Sequence, residues 1–173
     1  MTSQSVRIPV VDSGRASWSA IIALAEHAPA LKEEERAALA RLSDGSIGRA
    51  LDLSGSGSLD LYGELVGLLA TLPDLDVPRL HGFAERFAKK GEEANAAWRS
   101  LNYLFDGWLK GLVREAATPD GTNAIVPAES GLKQRLLAAG SLDRWMEAWE
   151  KVAHLLSRSD AVNTDRKIGR AHV

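Results

Sequence analysis

The sequence contains no cysteine, which excludes disulfide bonds and thiolate metal sites. A chain without cysteines suits a reducing compartment, and we expect it in the cytoplasm. The histidines lie too far apart to share a metal ion, so we expect no metal and no cofactor; they are His27, His81, His154 and His172. No run approaches the roughly 20 apolar residues of a membrane span. The first residues also lack the basic start and apolar core of a secretory signal.

A strong charge of either sign is also missing. The net charge of −2 argues against binding nucleic acid through bulk positive potential. There is no G-x-x-x-x-G-K-[ST] phosphate loop. The acidic clusters at residues 33–35 and 92–93 fall on predicted helix faces that are exposed to solvent. We find no group of polar residues that predicts an active site. We therefore expect a non-catalytic chain. Its 173 residues, with 45% hydrophobic content, suffice to form one or two small domains.

Residues 39–54 hold a helix stop, a tight turn and a helix restart. Asp44 and Gly45 interrupt an amphipathic run, and glycine readily adopts the positive φ of a C-terminal cap. Ser46 is placed to cap the next helix by accepting a backbone N–H from Gly48 or Arg49. The helical spacing predicts that Ile47, Ala50 and Leu51 share its buried face.

The free backbone N–H groups at the start of the new helix are expected to point toward solvent, and Arg49 lies one turn into the helix. This arrangement favours contact with an anion or phosphate. An ordinary capped helix is the simpler interpretation of the spacing alone, with Arg49 paired to Asp52 on a solvated face.

The run Asp44-Gly45-Ser46-Ile47-Gly48-Arg49-Ala50-Leu51 resembles the signature that ends the helical lid domain of bacterial clamp-loader subunits. It is most similar to the DNA polymerase III delta-prime family. The resemblance implies that Ser46 and Arg49 occupy the sensor-2-like position, where the arginine of ATP-binding relatives reaches a nucleotide. The delta-prime family is a poor or non-functional ATPase, so the resemblance implies no catalysis. The family's Ser-Arg-Cys motif is absent here.

Three short helices are expected in residues 18–54, as in a clamp-loader lid. The first has Trp18, Ile21, Ile22 and Ala25 at helical spacing. The second begins near Ala30 and continues to Leu42. The Gly/Ser-rich residues 55–58 predict a linker and a domain boundary. Residues 1–17 are predicted to be an irregular segment, with a faint strand-like alternation of apolar residues.

Residues 59–167 show apolar stripes typical of a helical bundle, most clearly from Leu142 to Leu156. Asn163-Thr164-Asp165-Arg166-Lys167 resembles the stretch that opens the last helix of the clamp-loader collar, with Thr164 in place of the usual leucine. Helix capping by Asn163 or Thr164 is the alternative explanation. Residues 168–173 match one reading frame of a common sequencing adapter, so we expect a non-native tail and a collar truncated at its C-terminus.

The sequence thus predicts an all-α chain with a three-helix AAA+ lid and a collar bundle. By the resemblance, it is a structural fragment of the pentameric loader that places the sliding clamp on primed DNA. The implied partners are the delta and ATPase gamma/tau subunits, with DNA reached only through the complex. The alternative is a stand-alone helical interaction domain unrelated to replication. Candidate interface residues are Leu101, Phe105, Trp108, Trp145, Trp149, Asn163, Asp165 and Arg166.

Overall fold

The described residues of the computed structural model are 18–88, 91–117 and 124–168, with side chains described as far as residue 158. Within these ranges the chain is all-helical and contains no strand, which confirms the all-α prediction. The chain divides into two compact units, the first ending at Ser54 and the second beginning at Gly55. None of the described helices combines the length and apolar character needed to cross a membrane.

The first unit consists of α1 (Trp18–His27), α2 (Glu33–Leu42) and α3 (Ile47–Ser54), which all contact one another. The second helix begins three residues later than predicted, because residues 29–31 form a turn in which Leu31 donates its N–H to the Ala28 carbonyl. At the start of α2, the Glu35 carboxylate accepts the Lys32 N–H at 2.7 Å. This bond satisfies a backbone donor at the helix N-terminus.

Small side chains form much of the core of the first unit. The buried residues are Ala20, Leu24, Ala38, Leu39, Ala40, Ser43, Ala50 and Leu53. The expected buried face of α3 is partly wrong, since Ile47 is exposed. On α1, the helical spacing of Trp18 and Ile22 does not mark a buried face, since both are exposed. The alanines at positions 20 and 50 are fully buried, so the core of this unit contains small side chains where the pattern suggests larger ones.

The second unit contains α4 (Ser58–Leu69), α5 (Val77–Ala88), α6 (Glu92–Ala117), α7 (Pro127–Ala139) and α8 (Leu142–Ile168). The long α6 is the central helix and contacts each of the other four. Its buried residues Leu104, Trp108 and Leu112 form the middle of the core. From α4 the core receives Leu61, Tyr62, Leu65, Val66 and Leu68.

The predicted Gly/Ser linker is a short turn in the structure. Gly57 adopts a left-handed backbone (φ 63°) immediately before α4. Ser58, which we had assigned to the linker, opens α4 and is buried. Its hydroxyl forms a hydrogen bond with Ser56.

Two arginines bind the C-terminal carbonyls of α4. Arg79 of α5 donates to the Gly67 carbonyl at 3.1 Å, and Arg135 of α7 donates to the Ala70 carbonyl at 2.8 Å. A Cβ at position 67 would lie 2.7 Å from a guanidinium nitrogen of Arg79, so a larger residue there would require the end of the arginine side chain to shift. The arginines satisfy backbone acceptors at the helix end and complement its dipole.

The helix start predicted at residues 163–167 is absent, because α8 continues without interruption from Leu142 to Ile168. Residues 163–167 therefore continue a helix and do not open one. Between residues 142 and 168 the sequence contains no proline and no glycine, so nothing breaks the backbone hydrogen bonding.

Candidate functional site

The turn between α2 and α3 has the backbone geometry that the sequence predicts. Asp44 and Gly45 both have positive φ, at 49° and 82°. The Gly45 N–H donates to the Ala40 carbonyl at 3.4 Å, and the Asp44 N–H donates to the Arg41 carbonyl at 3.2 Å. These bonds close the end of α2 in the manner of a left-handed C-terminal cap.

Ser46 caps α3 as predicted, although the side-chain contact is long. Its Oγ accepts the Arg49 N–H at 3.5 Å, and its carbonyl accepts the Ala50 N–H at 2.9 Å. Ser46 and Arg49 are both exposed. The N-terminus of α3 therefore faces solvent with a cationic side chain one turn away, an arrangement suited to contact with an anion.

The aromatic and apolar interface candidates divide into two groups by burial. Leu101 and Trp108 are only 9% and 4% exposed, so they serve the core of their own unit and present little surface to a partner. Phe105, Trp145 and Trp149 are half-buried. Of the five, these three offer most surface for an intermolecular contact.

A polar contact fixes α8 on α6. The indole Nε1 of Trp149 donates to Oδ1 of Asp106 at 2.9 Å. The ammonium of Lys110 lies 2.6 Å from Oδ2 of Asp106 and 5.7 Å from the centre of the Trp149 ring. Trp149 therefore has its polar atom satisfied and its ring covered by a cation, which sets the rotation of α8 about its axis.

None of residues 142–158 of α8 is fully buried, although their apolar stripe is the clearest in the sequence. Met146 and Leu155 are 41% and 62% exposed, and their spacing of nine residues places them on opposite sides of the helix. On the solvated side, the hydrogen bond and positive charge of Lys151 lower the pKa of the Glu147 carboxyl. Thus α8 retains apolar surface beside the face that packs on α6.

Asn163, Asp165 and Arg166 belong to the last part of α8. Their side chains lie outside the described residues, so the structure says nothing of their contacts.

A buried polar cluster of Tyr62, Glu115, Glu129 and Lys133 was not predicted from the sequence. Oε1 of Glu129 accepts the Tyr62 hydroxyl at 2.9 Å and lies 2.8 Å from the Lys133 ammonium. Its Oε2 accepts the Ile125 N–H at 2.7 Å. The side chains of Glu129 and Lys133 are 1% and 4% exposed, so this is a charge pair inside the core.

The cluster connects three helices. Lys133 also lies 3.5 Å from the carboxylate of Glu115 on α6, while Tyr62 belongs to α4 and Glu129 to α7. The sequence does contain a signal for part of it. Pro127 at the helix start and glutamate two residues later are typical of a helix N-terminus, and Glu129 and Lys133 have i,i+4 spacing. The spacing alone does not show that the pair is buried.

Substituting Glu129→Gln is expected to destabilise the second unit by about 1–3 kcal/mol. Both oxygens of Glu129 act as acceptors. The NH₂ group of glutamine would have to face another donor, either the Tyr62 hydroxyl and Lys133 ammonium or the backbone N–H of Ile125. Urea unfolding measures the loss, and the exposed Glu147→Gln is the control. Equal stability of the Glu129 variant and the original chain would contradict this account of the cluster.

A shallow cleft of about 330 Å³ lies between α4 and α5. Its charged groups are engaged with neighbouring protein groups, since Arg86 pairs with Glu64 and Arg79 donates to the Gly67 carbonyl. Phe83 lines the cleft and stacks edge-on with Phe87, which in turn contacts Trp98 of α6. These contacts are those of helix packing and do not assemble a reactive group.

Comparison of the chain with protein-family models, curated proteins and solved structures finds no match. Among the described residues, no group of three or more histidine, aspartate or glutamate side chains is placed to hold a metal ion.

Proposed function

We propose that the chain is a non-catalytic part of a bacterial clamp-loader subunit of the delta-prime type. The observation that carries this proposal is the connection from α2 to α3. There the resembling run Asp44 to Leu51 has positive φ at Asp44 and Gly45, a serine cap, and an exposed Arg49 one turn into the helix.

In this proposal α1 to α3 form the lid, and Ser46 and Arg49 occupy the sensor-2-like position. The open N-terminus of α3 supports a contact between Arg49 and an anion, such as a phosphate of a nucleotide held by another domain. The delta-prime family is a poor or non-functional ATPase, and no catalytic group is assigned to the lid in this proposal. It therefore positions and does not catalyse.

The second unit would form the collar, which joins the delta and gamma/tau subunits in the ring. The half-buried and exposed apolar side chains of α8 support this role, because they leave surface for a neighbouring helix. DNA would be reached only through the assembled loader. We propose the cytoplasm as the site of action.

Capture of the delta and gamma/tau subunits of the same organism by the immobilised chain tests the proposal. We expect stable capture at moderate salt, and at least about tenfold weaker capture by Met146→Glu combined with Leu155→Glu, because a charge in an apolar contact is costly. His154→Glu on the charged side of α8 is the matched control and should bind as the original chain does.

Failure of the folded chain to bind either subunit would contradict the proposal. That result would favour the alternative, a stand-alone helical interaction domain. The support for this second candidate is the apolar surface that Met146 and Leu155 leave on α8, which would serve a partner of any kind.

A further inference from the structure

Helix α7 enters the core of the second unit mainly with charged side chains. It buries three residues, and two of them, Glu129 and Lys133, are charged. Leu132 is the apolar residue among the three, while Leu136 and Leu137 are half-buried. The apolar contacts that hold α7 on α4 and α6 are therefore few, which is typical of an element that opens before the rest of a domain unfolds.

The charged contacts fix the position of α7 more than they stabilise it. In a buried ion pair, the attraction roughly offsets the cost of taking both charges out of water. Their geometry is demanding, however. Turning α7 by one residue rotates its side chains by about 100°, and sliding it by one turn moves them by about 5.4 Å. Either change would leave Glu129 and Lys133 buried without their partners, so α7 has a single docked position.

A released α7 would keep the polar contacts that lie within it. Glu129 and Lys133 pair at i,i+4 spacing inside the helix, and Glu129 also accepts the Ile125 N–H at the helix start. Release breaks three contacts with other helices: Tyr62 with Glu129, Glu115 with Lys133, and Ala70 with Arg135. Water can satisfy every one of these groups once α7 has left, so release leaves no buried charge unpaired.

We propose that α7 detaches from α4 and α6 as one unit while the rest of the second unit stays folded. The unit then has a closed form, in which the buried cluster is assembled, and an open form, in which Glu129 and Lys133 are in water. Opening uncovers Tyr62 of α4 and the adjoining part of α6. Helix α7 is thus a switch that covers or exposes this surface, with or without partner subunits.

Chemical modification of Lys133 in the full chain detects the open form. Its side chain is 4% exposed, so an amine-reactive N-hydroxysuccinimide ester reaches it when α7 has left. Lys151 is 70% exposed and gives the rate of an accessible lysine in the same sample, and peptide mass spectrometry separates the two. We expect Lys133 to react about 100-fold faster than the free energy of unfolding measured in urea allows. Its rate should also depend less on urea, because release exposes less surface than unfolding does.

Two leucine truncations distinguish release of α7 from unfolding of the whole unit. Leu132→Ala removes the buried apolar contact of α7 and should accelerate modification of Lys133 at least about 30-fold. Leu101→Ala truncates a buried residue of α6 that lies about 21 Å along the helix from Glu115. It should lower the urea midpoint but leave the Lys133 rate within about twofold.

Equal acceleration by the two truncations would overturn the proposal, because Lys133 would then react through unfolding of the whole unit. A Lys133 rate in the original chain equal to the one that global unfolding allows would overturn it too. So would a Leu132→Ala variant that modifies no faster than the original chain, since α7 would then not be held by its apolar contact.

Discussion

Substituting Lys133→Met is expected to lower the free energy of unfolding of the second unit by about 3 kcal/mol. Methionine keeps most of the apolar stem but removes the charge that lies 2.8 Å from Glu129 and 3.5 Å from Glu115. Two carboxylates would then face each other inside the protein with no cation between them. Breaking a buried ion pair costs far more than breaking an exposed one, because the remaining charge cannot be solvated.

Urea unfolding of the full chain followed by tryptophan fluorescence measures this loss, since four of the five tryptophans belong to the second unit. Lys151→Met is the matched control. Lys151 pairs with Glu147 at the same i,i+4 spacing, but their side chains are 70% and 64% exposed. The control should cost much less, because both groups of this pair are exposed and their attraction is screened by solvent. Similar losses for the two variants would show that the Lys133 cluster is not a buried structural pair.

Truncation of Leu112→Ala should destabilise the second unit by about 2–5 kcal/mol. Leu112 is fully buried and lies on α6, the helix that contacts every other helix of the unit. Its removal takes away apolar contacts and leaves a cavity that the surrounding helices can only partly fill. The loss should appear as a lower urea midpoint with an unchanged slope.

Leu155→Ala on α8 is the control for this truncation. It removes the same atoms from a side chain that is 62% exposed, and it should cost less than about 1 kcal/mol. A Leu112 variant that loses no more than the Leu155 variant would contradict the central position of α6.

Periodicity and turn chemistry predict much of this fold. The break at Asp44 and Gly45 and the cap by Ser46 both follow from local preferences that the backbone expresses without tertiary help. The long apolar stripe of α8 likewise predicts a helix correctly, because its spacing is sustained over several turns.

The errors arise where packing decides between two apolar faces. On α1, the pattern favours Trp18 and Ile22 as core residues, yet Ala20 and Leu24 are the buried pair. A helix that is apolar on most sides does not specify which side faces inward, and the sequence signal cannot distinguish small residues in a close contact from exposed ones.

The buried cluster was missed for a related reason. Glu129 and Lys133 have the spacing of an ordinary surface ion pair, and only the approach of Tyr62 from α4 and Glu115 from α6 makes the pair a core feature. Their positions in the sequence are distant, so no local pattern joins them. The prediction of a helix start at residues 163–167 is wrong because no proline or glycine interrupts α8 before them.

Sedimentation velocity of the chain mixed with purified delta and gamma/tau subunits tests the proposed function most directly. We predict that the chain sediments together with both subunits as one larger species, whereas the variant with Met146→Glu and Leu155→Glu sediments as the free chain. A folded chain that sediments alone at every subunit concentration would contradict it.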